Sequence, residues 1–337
     1  MLQTLNWATA LPLFFMAVMG LALLAYVILD GYDLGVGLLL PLATDAEKDT
    51  MVASIGPFWD ANETWLVLGV GVLLICFPMA HGVVLSALYL PVALMLIGLI
   101  VRGVAFDFRV KARDSHKTMW NRLFTIGSLV TTLAQGWMLG AYITGFHTDL
   151  WSRLFTIGIA LTLPAAYIML GVGWLIMKTE GVLQQKALRW GQGVLWPMGF
   201  ALMGISMATP VVSQTVFDKW FALPAFFALL PIPLACVAAF FAIRHVLAAP
   251  RVVAAGYGWI VFVATVVIFV LAFFGLAYSI YPFIVVDQLT IWEAASATES
   301  LMVIGVGVAI TLPAIIVYTV FMYRVFWGKA RELVYGL

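Results

Sequence analysis

Long apolar stretches fill this chain, and its polar residues collect in the short gaps between them. A helix needs about 20 predominantly apolar residues to cross the hydrocarbon core of a bilayer. By that measure nine helices are predicted, near 10–40, 53–76, 79–102, 119–144, 153–177, 190–211, 221–245, 257–284 and 298–325. The first is long enough to project beyond the bilayer or to break at its glycines. The second has the weakest pattern, because Asp60, Asn62 and Glu63 interrupt its start. No connecting stretch is long or rich in Pro and Ser. The chain therefore reads as one integral membrane domain, 1–337, of all-α polytopic class.

Composition sharpens that reading. Charged residues are 10% of the 337 and hydrophobic residues 64%, against roughly 25% charged in soluble domains. A net charge of +1 gives no electrostatic reason to expect nucleic acid as a partner. The first apolar stretch has no basic leader and is too long for a cleavable signal peptide. Cys76 and Cys236 both fall in apolar segments and read as small buried hydrophobes.

The basic residues orient the nine spans. With the N-terminus outside, 15 of the 17 Lys and Arg fall on the cytoplasmic side, six of them between Arg102 and Arg122. Only Arg153 and Lys219 fall outside. That asymmetry matches the positive-inside rule, whereas deleting the second span would put the six-charge cluster opposite Lys178, Lys186 and Arg189. The expected topology is N-terminus periplasmic and C-terminus cytoplasmic.

Four carboxylates then stand out. Asp30, Asp33, Asp60 and Glu63 sit in or beside membrane-spanning stretches, where an ionised group costs several kcal/mol unless paired, protonated or wetted. Asp30 falls about 30 Å along the first helix and Asp60 about 10 Å into the second from the cytoplasmic side, at 1.5 Å per residue. Members of each pair are three residues apart and share a helix face. Arg102, Asp107 and Arg109 close the third helix at the same level, which predicts an acidic patch entering from the cytoplasm with arginines at its rim. For the arginines and Asp107 the favoured reading is interfacial salt bridging that fixes helix ends. Asp60, flanked by Trp59 and Trp65, is the residue expected to carry function. Asp30 and Asp33, nearer the interface, are expected to be more easily bypassed by water.

Other chemistry is poorly represented. Haem ligation needs imidazole, thiolate or thioether at membrane depth, yet His81, His116, His147 and His245 lie in loops or at helix ends. No metal and no catalytic residue is expected in this chain. The G-V-G runs at 35–37, 69–71 and 305–307 lie inside apolar helices and read as close-packing positions. A faint echo links Trp59-Asp60-Ala61 before 66–72 with Trp292-Glu293-Ala294 before 302–308, and hints at duplication. Proton handling by the carboxylates is what remains.

Three segments carry a resemblance: D-G-Y-D-L-G-V-G at 30–37, S-I-G-P-F-W-D-A-N-E-T-W-L at 54–66 and R-G-V-A-F-D-F-R at 102–109. They are similar to subunit II of the cytochrome bd quinol oxidases, and the compact loops resemble those of the cyanide-insensitive branch. The resemblance implies two four-helix bundles plus one peripheral helix. It implies a bacterial inner-membrane complex in which a partner, subunit I, carries two b-type haems, one d-type haem and the quinol site. The reaction implied is four-electron reduction of O₂ to water by quinol, with protons drawn from the cytoplasm. Asp30, Asp33 and Asp60 map onto the family's proton route, with Glu63 beside them, and Trp59 onto a wall at the subunit I interface. A structural quinone or lipid in this subunit and a small single-helix accessory subunit are further features the family admits. Two rival readings are a proton-coupled secondary transporter and a purely structural assembly subunit. Against the first, no acid is expected at mid-membrane within 150–337.

Overall fold

The computed structural model describes residues 6–330. The fold is helical almost throughout, and nine of its helices are long and apolar enough to cross a membrane among the described residues. Helix α1 (Trp7–Leu39) opens at Asn6, whose side chain accepts from the Ala8 N–H. A short helix α2 (Asp45–Ile55) follows, then α3 (Trp59–Cys76), α4 (Pro78–Lys111) and α5 (Asp114–Ile143). Helix α6 (Leu150–Lys178) is capped by Asp149, whose carboxylate accepts from the side chain and N–H of Ser152 and from the Trp151 N–H. Those bonds hold the Asp149 carboxyl below the usual range. Helices α7 (Gly181–Val212), α8 (Gln214–Phe221), α9 (Ala225–Leu229), α10 (Pro231–Ala248), α11 (Pro250–Val252) and α12 (Trp259–Ile280) lead to a hairpin, β1 (Phe283–Val285) and β2 (Leu289–Thr290). Phe283 pairs with Thr290 in that antiparallel ladder. Helices α13 (Ile291–Ala294) and α14 (Thr298–Val325) close the described chain.

The long helices fall into two groups of four. Helices α1, α3, α4 and α5 form one, and α6, α7, α10 and α12 the other, with α6 seated against α1 and α5. Helix α14 stays peripheral and rests on α1 and α3. The expected pair of bundles with one outlying helix is therefore present.

Two close crossings explain how polar-backboned helices meet without a hydrophobic drive, since in lipid such contacts rely on small residues. At the seam between bundles, a Cβ built on Gly35 would lie 1.9 Å from the Tyr167 carbonyl oxygen, and one on Gly171 would lie 2.6 Å from the Gly35 carbonyl carbon. Between α4 and α5, a Cβ on Gly98 would lie 2.4 Å from Thr131 Oγ1. The expectation of packing glycines holds at Gly35, Gly37 and Gly69, but Gly71 and Gly307 have open space beside them.

The segments beginning at Trp59 and Trp292 lead into the second and ninth spans. The sequence L-G-V-G occurs at 34–37, 68–71 and 170–173, and the copies on α1 and α6 face each other at the Gly35–Gly171 crossing.

One boundary differs in a way that bears on function. The expected second span, 53–76, is two elements: the chain turns at Gly56, Pro57 and Phe58, and the membrane-spanning helix starts only at Trp59. The residues before the turn belong to α2, whose polar first half is fastened by ion pairs and whose last residues, Met51, Val52 and Ile55, pack into the core. Glu47 accepts from the Thr44 N–H and from Lys186 Nζ, each at 2.8 Å. The Lys186 ammonium is the main reason its carboxyl is held below the usual range. Asp49 receives Arg109 at 2.8 Å. Arg331, one of the basic residues in the orientation argument, lies outside the described residues.

Candidate functional site

Two of the four carboxylates, Asp30 and Glu63, meet at Arg102. Its side chain is 1% exposed and reaches from α4 toward α1 and α3. Nη1 stands 2.6 Å from Asp30 Oδ1, and Nη2 donates to Glu63 Oε1. Asp30 is as buried as its partner, while Glu63 keeps 28% of its side chain exposed. The Arg102–Asp30 contact is one of charge rather than an aligned hydrogen bond, for neither Asp30 oxygen meets hydrogen-bond geometry with any described residue. A guanidinium shared by two carboxylates is the usual way such groups survive in a low-dielectric interior.

Asp33, one turn on from Asp30, is fully buried and meets an amide instead of a cation. Its Oδ2 accepts from Asn62 Nδ2 at 2.8 Å, and Oδ1 has no donor among the described residues. Asn62 also donates toward the Tyr32 hydroxyl at 2.9 Å and the Leu29 carbonyl at 3.3 Å. On the other side of Asp30, Gln135 Nε2 donates to the Tyr26 hydroxyl at 2.7 Å and Gln135 Oε1 accepts from Tyr167 at 2.6 Å. Tyr26 is one turn from Asp30 on the same face of α1. Polar groups from α1, α3, α4, α5 and α6 thus gather in three sets, around Gln135, Arg102 and Asn62.

The structure changes the order of burial expected from the sequence. Asp30 and Asp33 are enclosed, whereas Asp60 is exposed on the first turn of α3. The cause is the break at Pro57, which brings the start of the span up to Asp60 and removes the turns that were expected beneath it. Trp59 is half-buried, with its ring 5.1 Å from that of Phe106 and its edge against Gly103. Trp65 is buried two turns along. The arginines part company: Arg102 lies inside the cluster, while Arg109 ties α4 to Asp49 of α2 and to Asn121 of α5, the salt-bridging role expected of it. Asp107 is exposed.

Sequence reasoning passed over Tyr26, Tyr32, Asn62, Gln135, Tyr167 and Tyr323 as site residues. Asn62 and Gln135 were accessible to it, since an amide inside an apolar helix needs a partner. The tyrosines gave no signal, because a tyrosine near a helix end serves equally well as an interfacial anchor. The four histidines take up helix ends and a loop: His81 and His116 in first turns, His147 after α5, and His245 in the last turn of α10. Among the described residues no three His, Cys, Asp or Glu side chains gather as metal ligands.

Fold and site together define a nine-span helical membrane protein whose first bundle encloses a carboxylate–guanidinium cluster. The family model for cytochrome bd terminal oxidase subunit II matches residues 11–326, and the chain belongs to that family. It is 28% identical over 318 residues to cytochrome bd ubiquinol oxidase subunit 2 of Bacillus subtilis (strain 168), covering 88% of this chain and 90% of that one. It is 35% identical over 129 residues to cytochrome bd-I ubiquinol oxidase subunit 2 of Escherichia coli (strain K12), covering 37% and 34%. The structure of bd oxidase from Geobacillus thermodenitrificans shares the fold, with a TM-score of 0.78 at 16% identity over 95% of this chain and 99% of that one. The chain is therefore a multi-pass subunit of a membrane oxidoreductase complex, with a subunit I as partner and the haems of the family in that partner.

Proposed function

We propose that this subunit stabilises the haem-bearing subunit I in the bacterial inner membrane and supplies protons for the four-electron reduction of O₂ to water by quinol. The single observation that carries the reading is the enclosure of Asp30 and Asp33 beside Arg102, reached from the surface through Asp60 and Glu63. Asp60 takes a proton from cytoplasmic water at the start of α3. Glu63, one turn further in and partly exposed, is its neighbour on the same helix face. Arg102 keeps its charge and its proton throughout and holds Glu63 and Asp30 on its two nitrogens, so the proton passes between the two carboxylates and not through the guanidinium. Each carboxylate accepts one proton and gives one up, so no net charge accumulates in the interior.

The outward face of α3 suits the partner. Val67 and Val70 are exposed beside Asp60, and a carboxylate turned toward acyl chains would be prohibitively costly. Subunit I covering that face would keep Asp60 out of contact with acyl chains while its cytoplasmic side stays open to water. The orientation this needs, N-terminus outside and the residues near Ser115 in the cytoplasm, follows from the asymmetry of basic residues. A cysteine at Ser115 is expected to be labelled by an impermeant thiol reagent only after the membrane is opened. Labelling in intact cells would reverse the topology.

Asp60→Asn preserves shape and removes the titratable group. It is expected to assemble with full haem content and to turn over at least tenfold more slowly, a conservative floor beside the roughly 10²–10⁴-fold contributed by a positioned proton donor. Because the structure encloses Asp33, Asp33→Asn is expected to slow turnover no less than Asp60→Asn. Normal turnover in both variants with haem intact would leave these acids a structural role only.

A further inference from the structure

Helix α14 rests on α1 and α3 and sends one hydroxyl into the site. Tyr323 Oη donates to Asn62 Oδ1 at 3.2 Å and lies 2.6 Å from the Tyr32 hydroxyl. Asn62 Nδ2 stands within reach of three acceptors: Leu29 O, Tyr32 Oη and Asp33 Oδ2. A backbone carbonyl can only accept, so the nitrogen of the amide, not its oxygen, must face Leu29. Two amide protons face three acceptors, and one assignment gives each hydroxyl proton an acceptor. The Tyr323 proton goes to Asn62 Oδ1, so Tyr32 donates across the 2.6 Å contact and its own oxygen accepts from Asn62. The three side chains close a ring in which every proton has an acceptor. The second N–H of Asn62 is shared between Asp33 Oδ2 at 2.8 Å and the Leu29 carbonyl at 3.3 Å.

Resting on the proton route above, we propose that Tyr323 is a positioning residue for it. Through this ring the peripheral helix fixes the amide that faces Asp33, and so sets the environment in which that carboxylate takes and releases its proton. Tyr323 touches no reacting group, and it acts through Asn62. Its ring is also held by packing, 4.7 Å from the Phe58 ring and 6.2 Å from that of Trp174. A phenylalanine there keeps that packing and loses the ring of hydrogen bonds.

The test uses the complete oxidase carrying Tyr323→Phe. Haem content and the KM for quinol are expected to be unchanged. The kcat is expected to fall roughly three- to tenfold, the equivalent of one hydrogen bond, with a larger H₂O/D₂O isotope effect on turnover. Added to Asp33→Asn, Tyr323→Phe is expected to slow turnover no further, because it acts through Asp33. A double variant in which the two losses multiply would make Tyr323 a packing residue and overturn the proposal. Wild-type kcat in Tyr323→Phe beside a slowed Asp33→Asn would overturn it too, while leaving the proton route standing. Wild-type kcat in Asp33→Asn would overturn the route itself. Should Tyr323→Phe fail to assemble, Tyr32→Phe breaks the same ring and keeps its stacking on Trp174 at 4.1 Å. It is judged by the same criteria.

Discussion

Arg102→Leu is expected to prevent this subunit from assembling. The guanidinium is the only cation in contact with Asp30 and Glu63 among the described residues. Removing one partner of a buried ion pair typically costs about 3–5 kcal/mol, because the charge left behind has no compensation. Here two carboxylates would be left, and stability of that order is a large share of what holds a domain together. The complex is expected to be missing from membranes or to be recovered without haem. A second variant separates charge from shape. If Arg102, Asp30 and Glu63 all become leucine, no member of this ion-pair cluster is left without its partner, and such replacements can be neutral or stabilising. That triple variant is expected to recover assembly but not turnover. Normal assembly of Arg102→Leu alone would show that the cluster is not held together by its charges.

Gly35→Ala is expected to weaken the seam between the two bundles. The added carbon would sit 1.9 Å from the Tyr167 carbonyl oxygen and 3.0 Å from the Gly171 nitrogen. Both are backbone atoms, so no side chain can swing away, and the helices must separate along the crossing. Overpacking of this kind costs about 1–3 kcal/mol where side chains can adjust, and a backbone obstacle puts this position at or beyond the upper end. The separation would also shift Tyr167, which donates to Gln135 beside the acid cluster. The solubilised complex is expected to lose several degrees of thermal stability, while Gly307→Ala, with open space beside it, is expected to leave it unchanged. Equal stability in the two variants would contradict the account of the seam.

The sequence showed the architecture more readily than the site. Nine apolar runs and a lopsided distribution of basic residues reflect the bilayer itself, which imposes span length and loop charge one element at a time. The acidic residues were equally visible, since an acid in an apolar helix has few innocent explanations. Their relative burial was not. It turned on the break at Gly56-Pro57, where α2 gives way to the span, and apolar residues on both sides hide that change of role. The Gly35–Gly171 crossing went unseen for another reason. L-G-V-G at 170–173 reads as an ordinary apolar run until it faces its counterpart at 34–37. Tyr323 stands 290 residues or more from Tyr32 and the start of the site's first helix, and only packing joins them.

The central claim is that protons pass through the carboxylates of this subunit. The most direct measurement is of protons taken up when the fully reduced complex meets O₂, followed with a water-soluble pH indicator on the side that the Ser115 loop faces. The wild-type complex is expected to take up protons there in step with oxygen reduction. Asp33→Asn and Asp60→Asn, with haem content intact, are expected to take them up at least tenfold more slowly. Uptake at the wild-type rate in both variants would contradict the account.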